Sequence, residues 1–411
     1  MPPLVCLITP GSVASTPRLV KEADALVEAG YRVHVVFGRG FPAADPLDAD
    51  ILATARWHCT RVDYGAGGFG RKILRRFARQ LVVHPRLATV KIAARASHAQ
   101  ALRLSAIAAG IPAQLYIGHC LPALPAAALA ARSRGVAYGF DAEDFHGAET
   151  DAAMNEPAER ALAYELQTRL LTGCAHLTAA SPLIGRQYSV IYHVEPRTVL
   201  NVFPLSQAPM SAVDPGPVSD GRPARFYWFS QTVGPGRGLE AVLAILGRMS
   251  TPAELHLRGF PAAGYAAHLR ALAVRAGVKR SIRFLEPGPP TEMARLAADM
   301  DFGLSAEQTL PPNRNLCLTN KIFVYLLAGI PQLLSNTAAQ RALAPELGEA
   351  AILADFSQPD AAARKIDEFF ADPARIAPAR RTARTLATQR YCWDVEKSKF
   401  LDLIRSVVPL P

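Results

Sequence analysis

Glu307 stands between an apolar tetrapeptide at 302–305, FGLS, and a longer apolar segment at 320–328, NKIFVYLLA. Read as a buried strand, a loop carrying Glu307, a helix over 320–328, Gly329 and a second buried strand over 331–334, this stretch belongs in a parallel sheet. The loop after one strand and the start of the next helix then share the edge where ligands bind in such sheets. Free N–H groups and the helix dipole favour an anion at that helix start. A carboxylate that accepts bonds from sugar hydroxyls, beside a helix start that holds phosphate, suits a nucleotide-sugar. A surface acid next to an ordinary helix start fits the same residues equally well.

Other polar groups fall at predicted sheet edges. Ser12, Ser15, Thr16 and Arg18 follow the first apolar strand, either as an acceptor contact or as a cap ahead of Pro17. His119 follows the strand predicted at 114–118, where a lone histidine is either a reactive group or a satisfied core residue. Asp141, Glu143, Asp144, His146 and Glu149 crowd the loop after the next strand. That density suits acceptor binding or general-base work, and equally an acidic loop capping a helix. GPGRG at 234–238 is neither GxxxxGK[ST] nor GxGxxG, which sets aside an ATPase or a dinucleotide enzyme, yet it is a sensible place for Arg237 to meet a diphosphate. No set of ligands for a metal is completed anywhere, and no cofactor is expected.

The elements that must position these groups alternate strand and helix in both halves, as in α/β domains with parallel sheets. With 411 residues and half of them apolar, the chain can bury two cores. The reading divides it into residues 1–204, a Pro/Gly/Ser/Asp-rich linker at 205–224, a second domain at 225–385 and a closing helix in 386–411. Six scattered cysteines without a CxxC pair argue against a disulfide framework or a zinc site and suit a reducing compartment. The start, MPPLVCLITPGS, has no signal-peptide pattern, so a cytoplasmic protein is expected. The uncharged stretch 104–131 is broken by Gly110, Pro112, Pro122 and Pro125, and reads as buried α/β structure rather than a membrane span.

The net charge of +10 is concentrated. Between Asp63 and Asp141 there is no acid and there are eleven basic residues: Arg71, Lys72, Arg75, Arg76, Arg79, Arg86, Lys91, Arg95, Arg103, Arg132 and Arg134. The first five form a face of a predicted helix, beside Ile73, Leu74, Phe77 and Leu81. A basic amphipathic helix of this kind, within the block 71–103, fits an anionic membrane surface or an anionic acceptor. A solvated face fits too. Nucleic acid is disfavoured because no aromatic-interleaved basic motif accompanies the charge.

Several passages, taken in order, resemble retaining glycosyltransferases of the GT-B fold, family 4 (group 1). TPRLVKEADALVEAGYRVHVV is similar to that family's first loop, helix and second strand; FSQTVGPGRGLEAVLAIL to the start of its second domain; NKIFVYLLAGIP to its donor-binding helix; YCWDVEKSKFLDLI to its closing helix, which crosses back to the first domain. The resemblance covers nearly the whole chain. It implies two Rossmann-like, doubly wound domains facing a central cleft, and a sugar passed with retention from a nucleoside-diphosphate-sugar to a hydroxyl on a glycan, a lipid-linked sugar or a small molecule. Surface polysaccharide or glycolipid assembly at the inner face of the membrane is the implied setting. The donor is a co-substrate, and no obligatory metal or cofactor is implied. Gly236, Arg237, Asn320 and Lys321 would meet the donor diphosphate, Glu307 the donor sugar, and His119 the reacting centre. Ser12, Arg18, Asp141, Glu143, Asp144 and His146 would lie on the acceptor side.

Three departures qualify the resemblance. Val324 stands where the family places a second glutamate that bonds the ribose, and valine accepts no hydrogen bond. Arg237 matches the lysine of a diphosphate-binding Arg/Lys pair, while uncharged residues near Gln231 or Thr232 hold the arginine position. The loop 308–319 is longer than in the simplest form of the motif. A non-catalytic relative that binds sugar or nucleotide, or a nucleotide-sugar epimerase, is the alternative reading.

Overall fold

The computed structural model describes residues 1–39, 45–62, 68–82, 89–149, 157–211, 213–219, 221–278 and 282–411; side chains at 68–72 and 157–158 are outside the description. Arg86 and the side chains of Arg71 and Lys72 therefore lie outside the described residues. The chain forms two compact units: Met1–Val199 with Pro311–Asn313 and Lys397–Pro411, and Leu200–Leu310 with Arg314–Glu396.

The first unit runs β1 (Leu4–Thr9), α1 (Pro17–Glu28), β2 (Arg32–Gly38), α2 (Asp45–Thr54), β3 (His58–Val62), α3 (Gly68–Val82), α4 (Val90–Ser97), α5 (Ala101–Ala109), β4 (Leu115–His119), α6 (Ala123–Arg134), β5 (Ala137–Ala142), α7 (Pro157–Leu170), β6 (His176–Ala179), α8 (Pro182–Tyr192) and β7 (Arg197–Thr198). Its strands are all parallel, in the order β3-β2-β1-β4-β5-β6-β7. Every residue of β1 and β4 is buried, as expected for central strands covered on both faces. The uncharged stretch 104–131 divides between α5, β4 and α6, and among the described residues no helix is long and apolar enough to cross a membrane.

The second unit runs β8 (Ala224–Val233), α9 (Leu239–Leu246), β9 (Ala253–Pro261), α10 (Tyr265–Ala276), β10 (Ile282–Leu285), α11 (Met293–Ala297), β11 (Phe302–Ser305), the end of α12 (Pro312–Leu316) from Arg314 on, α13 (Asn320–Ala328), β12 (Gln332–Ser335), α14 (Ala338–Leu347), β13 (Ala351–Ala354), α15 (Pro359–Phe370), α16 (Pro373–Gln389) and the start of α17 (Trp393–Val407). Its parallel sheet repeats the winding of the first, β10-β9-β8-β11-β12-β13. In each sheet the strand order reverses beside the first strand, between β1 and β4 and between β8 and β11. The carboxyl ends of those strands open the crevice where doubly wound sheets bind ligands. The second core gathers Phe226, Trp228, Leu255, Phe302, Phe369 and Phe370 between the sheet and its helices.

Gly303 in β11 explains how close α13 lies to this sheet. A Cβ there would fall 2.3 Å from the Tyr325 ring. With only hydrogen in the way, the Tyr325 hydroxyl reaches the carbonyls of Tyr227 and Leu304 at 3.1 and 3.2 Å, which fixes the helix against both central strands.

Most of α17, from Lys397 onward, packs into the first unit. Phe400 meets His176 edge-on and the Tyr31 hydroxyl donates to the Val408 carbonyl at 2.8 Å.

The helix α3 forms where the basic pattern predicts, but its faces are used otherwise. Arg75 donates to the carbonyls of Ala96 and Ser97 at the end of α4, and Arg79 reaches Ala96 and the carboxylate of Glu159. Ile73, Leu74, Phe77 and Leu81 are exposed, Phe77 by 61%. The last carbonyls of a helix lack intrahelical partners and carry partial negative charge, so guanidinium groups bind there favourably and turn the apolar side outward.

Candidate functional site

In the second unit the switch point brings together Glu307, just past β11, and the turn between β8 and α9 that carries Gly236 and Arg237. That turn leaves no room for a side chain at Gly238. Gly238 has φ +74°, and a Cβ on it would sit 2.2 Å from the Ala306 carbonyl oxygen. Arg237 is thereby held beside the strand that leads to Glu307.

Glu307 is 9% exposed, and its Oε1 accepts from Lys321 Nζ at 3.0 Å. Ser335 donates to its carbonyl at 2.6 Å and so anchors its backbone. Burial pushes the Glu307 carboxyl up, but Lys321, Arg314 and Arg237 outweigh it and hold the group below its usual value. The Lys321 ammonium lies 5.5 Å from the Trp228 ring centre, a second attraction that fixes it. Lys321 and Asn320 open α13, whose N-cap, Thr319, makes no side-chain bond to the helix; its hydroxyl is buried without a partner. The site therefore offers an ionised carboxylate, several cations and an uncapped helix start at one edge. Val324 is fully buried inside α13.

The loop 308–319 is folded rather than open. It contains α12, which Asn315 ties to the first turn of α14 by accepting from Ala338 N at 2.7 Å. Arg314, a residue the sequence reading left aside, donates to the Gly236 carbonyl. Its signal was weak: one arginine in a Pro- and Asn-rich loop.

In the first unit the switch point is filled by a buried ionic cluster. Arg18 grips Asp141 through Nε at 2.6 Å and Nη2 at 2.9 Å, and donates to the Val199 carbonyl at 2.7 Å. Thr178 donates to the same carboxylate at 2.6 Å. The His119 ring lies between Asp141 and Glu22, at 3.4 and 3.3 Å. Arg18, Glu22, His119 and Asp141 are all fully buried, so His119 faces two carboxylates and no open space. Burial disfavours charge on His119, but Glu22 and Asp141 outweigh it and raise the group; burial pushes Glu22 up; Asp141, held by Arg18 and His119 against the cost of its burial, lies far below its usual value. Glu22 was missed, although the sequence carried a signal: an acid within the apolar stripe Leu19, Ala23 and Leu26 of α1. Cys120, next after His119, adopts φ +66°, which for a residue with a Cβ costs on the order of 1–3 kcal/mol and marks a tightly determined turn.

The remaining acceptor-side candidates surround this cluster. Ser12 hydrogen-bonds Ser15, in a loop pinned by Asp48, whose carboxylate accepts from Ala14 N at 2.8 Å. Burial raises Glu143, with Asp144 and Asp141 adding to it. Asp144, also raised by burial, accepts from the Asn313 amide at 2.7 Å. His146 pairs with Glu149; burial lowers the imidazole but Glu149 outweighs it, and Nε2 is buried without a partner. Among the described residues no three His, Cys, Asp or Glu side chains are grouped so as to hold a metal ion.

No protein-family model matches the chain, and no curated protein matches it by sequence. Solved structures match along nearly its whole length. Anabaena HepE in complex with UDP and glucose aligns with a TM-score of 0.71 at 16% identity, over 98% of this chain and 99% of that one. Sucrose-phosphate synthase from Thermosynechococcus elongatus aligns with 0.69 at 14%, over 98% of each chain, and a glycosyltransferase from Rickettsia africae ESF-5 with 0.69 at 9%, over 99% of each. At these identities the likeness is one of fold: two Rossmann-like units in the GT-B arrangement of chain and sheets.

Proposed function

We propose that this chain transfers a sugar from a nucleoside-diphosphate-sugar to a hydroxyl acceptor, with retention at the anomeric carbon. The observation that carries the reading is the grouping at one sheet edge of an ionised, nearly buried Glu307 with Lys321, Arg237 and the uncapped start of α13. Glu307 would accept bonds from the donor sugar's hydroxyls. Gly236, Arg237, Asn320, Lys321 and the first N–H groups of α13 would hold the diphosphate, so that side chains rather than a metal carry its growing charge. The likeness in fold to HepE, solved with UDP and glucose, supports a nucleotide-sugar donor.

In this reading the bond from the anomeric carbon to the diphosphate oxygen breaks as the acceptor oxygen bonds the same face. The departing diphosphate oxygen takes the acceptor's proton. No protein nucleophile is needed. His119, enclosed between Glu22 and Asp141, would position the β4–α6 turn, while Ser12, Glu143 and Asp144 border the acceptor side; Arg18, Asp141 and His146 would support that edge. The enzyme would work in the cytoplasm, at an anionic membrane surface met by α3, on an acceptor used in surface polysaccharide or glycolipid assembly.

The buried Val324 favours one second reading, a relative that binds nucleotide or sugar without turnover. The test is thermal stabilisation by UDP, GDP, ADP, TDP and CMP and their sugar conjugates, followed by release of the nucleotide from the stabilising conjugate, with and without a panel of glycan, lipid-linked and small-molecule hydroxyl acceptors, by wild type and Glu307→Gln. A selective shift of the melting temperature, with release reduced at least about 100-fold in the variant (about 2.7 kcal/mol), is expected. Selective binding with no release by the wild type assigns the non-catalytic reading; release without any acceptor hydroxyl, with an altered sugar as product, assigns an epimerase. Wild-type release by Glu307→Gln removes Glu307 from the chemistry.

A further inference from the structure

The charge at the second switch point is not balanced. Lys321, Arg314 and Arg237 all act on the one carboxylate of Glu307, so three cations gather around it. Lys321 is the cation bonded to Glu307. Among the described residues neither Arg237 nor Arg314 pairs with an acid; the guanidinium of Arg314 is spent on a single carbonyl, that of Gly236, in the turn that also carries Arg237. A guanidinium has five N–H donors, so one carbonyl leaves most of them to other acceptors. Its position is built. The α12 helix that bears it is fastened by Asn315 to α14, and Cys317 Sγ donates to the Arg314 carbonyl.

Gln231 and Thr232 end β8 on the same turn, and both are uncharged and exposed. They can offer an anion neutral donors but no charge. From this arrangement, and resting on the functional reading above, we propose that Arg314 is a diphosphate-binding residue. The α12 insertion delivers into the β8–α9 turn the second guanidinium that β8 lacks, and Arg314 and Arg237 together face the leaving group. Paired guanidinium groups suit a diphosphate because each can bond two oxygens in the plane of its fork. The bond to Gly236 then sets the fork's orientation before the donor arrives, which limits the side-chain entropy lost on binding.

The experiment is calorimetric titration of the full chain with UDP, GDP, ADP and TDP and with the matching nucleosides. It compares wild type with Arg314→Gln, which keeps a donor for Gly236 but removes the charge, and Arg314→Lys, which keeps the charge but loses the fork. The diphosphate that binds wild type should bind Arg314→Gln at least about tenfold more weakly, with a shallower salt dependence. The nucleoside should change by less than about twofold, a difference small on the same scale, and Arg314→Lys should recover part of the loss. Diphosphate affinity unchanged in both variants overturns the proposal. So does an equal loss for diphosphate and nucleoside, the mark of a loop that has merely come loose; Arg314→Lys decides alone if Arg314→Gln does not fold. A wild type that binds none of the four diphosphates overturns the functional reading itself and this inference with it.

Discussion

At the scale of single residues, the chemistry of the second switch point turns on the Glu307–Lys321 pair. The carboxylate was legible because its place after a buried strand and before a helix fixes the sheet edge. Its partner's closeness was not, since it depends on how far α13 sinks against the strands once Gly303 admits Tyr325. Lys321→Met leaves Glu307 buried without its bonded cation, which costs about 3 kcal/mol, at the lower end for a broken buried pair because Arg314 and Arg237 remain nearby. Chemical denaturation of Lys321→Met, Glu307→Gln and the double variant checks this, and a coupling of about 1–3 kcal/mol is expected between them. Additive effects would mean that the two groups do not hold each other. Glu22 teaches a second lesson. It sits on the apolar stripe of α1, a position where an acid must find partners, and the partners are Arg18, one turn earlier on the same helix, and His119, from the end of β4 far away in sequence.

At the scale of elements, alternating strands and helices, with β-branched runs in the strands and glycines at helix ends, predicted most of the elements of both units. The orientation of α3 was not predicted. Periodicity marks two faces on an amphipathic helix without saying which one meets a neighbour, and here the exposed carbonyls at the end of α4 select the arginines. The outward face, Ile73, Leu74, Phe77 and Leu81 with exposed Arg76, lies in a block without a single acid. Anionic lipid matches both its apolar stripe and its charge. Phe77→Ser with Leu74→Ser should cut co-sedimentation with phosphatidylglycerol vesicles several-fold without lowering the melting temperature, since burying one such side chain is worth about 1.5–3 kcal/mol. Undiminished co-sedimentation would return α3 to a solvated surface. The loop 308–319 was noticed only for its length. Its fold as α12 depends on Asn315 meeting α14, a contact no local pattern announces.

At the scale of the whole molecule, the repeated winding of two parallel sheets followed from the alternation of elements, and the position of both switch points followed from the winding. Acid stability was not legible, because it depends on a histidine that the strands enclose. His176, at the start of β6, is fully buried, and burial pushes it down to about 3. The unfolded chain therefore binds one more proton than the folded one between about pH 3 and the ordinary histidine value of about 6.5. Stability from this group is complete above that window and is lost as pH falls through it, by up to about 5 kcal/mol. His176→Leu should flatten the fall in urea midpoint between pH 6.5 and 4; a slope equal to wild type would assign the acid sensitivity elsewhere. The same ring makes an edge contact with Phe400, which bears on how the protein is made. Lys397–Pro411 completes the first unit but is translated about 200 residues after Val199. At roughly 5–20 residues per second the ribosome needs about 10–40 s to supply it. During that interval the first sheet waits with the seat of Phe400 open, so a stalled or truncated chain exposes an apolar surface in its oldest part, where quality-control proteases and chaperones would find it first.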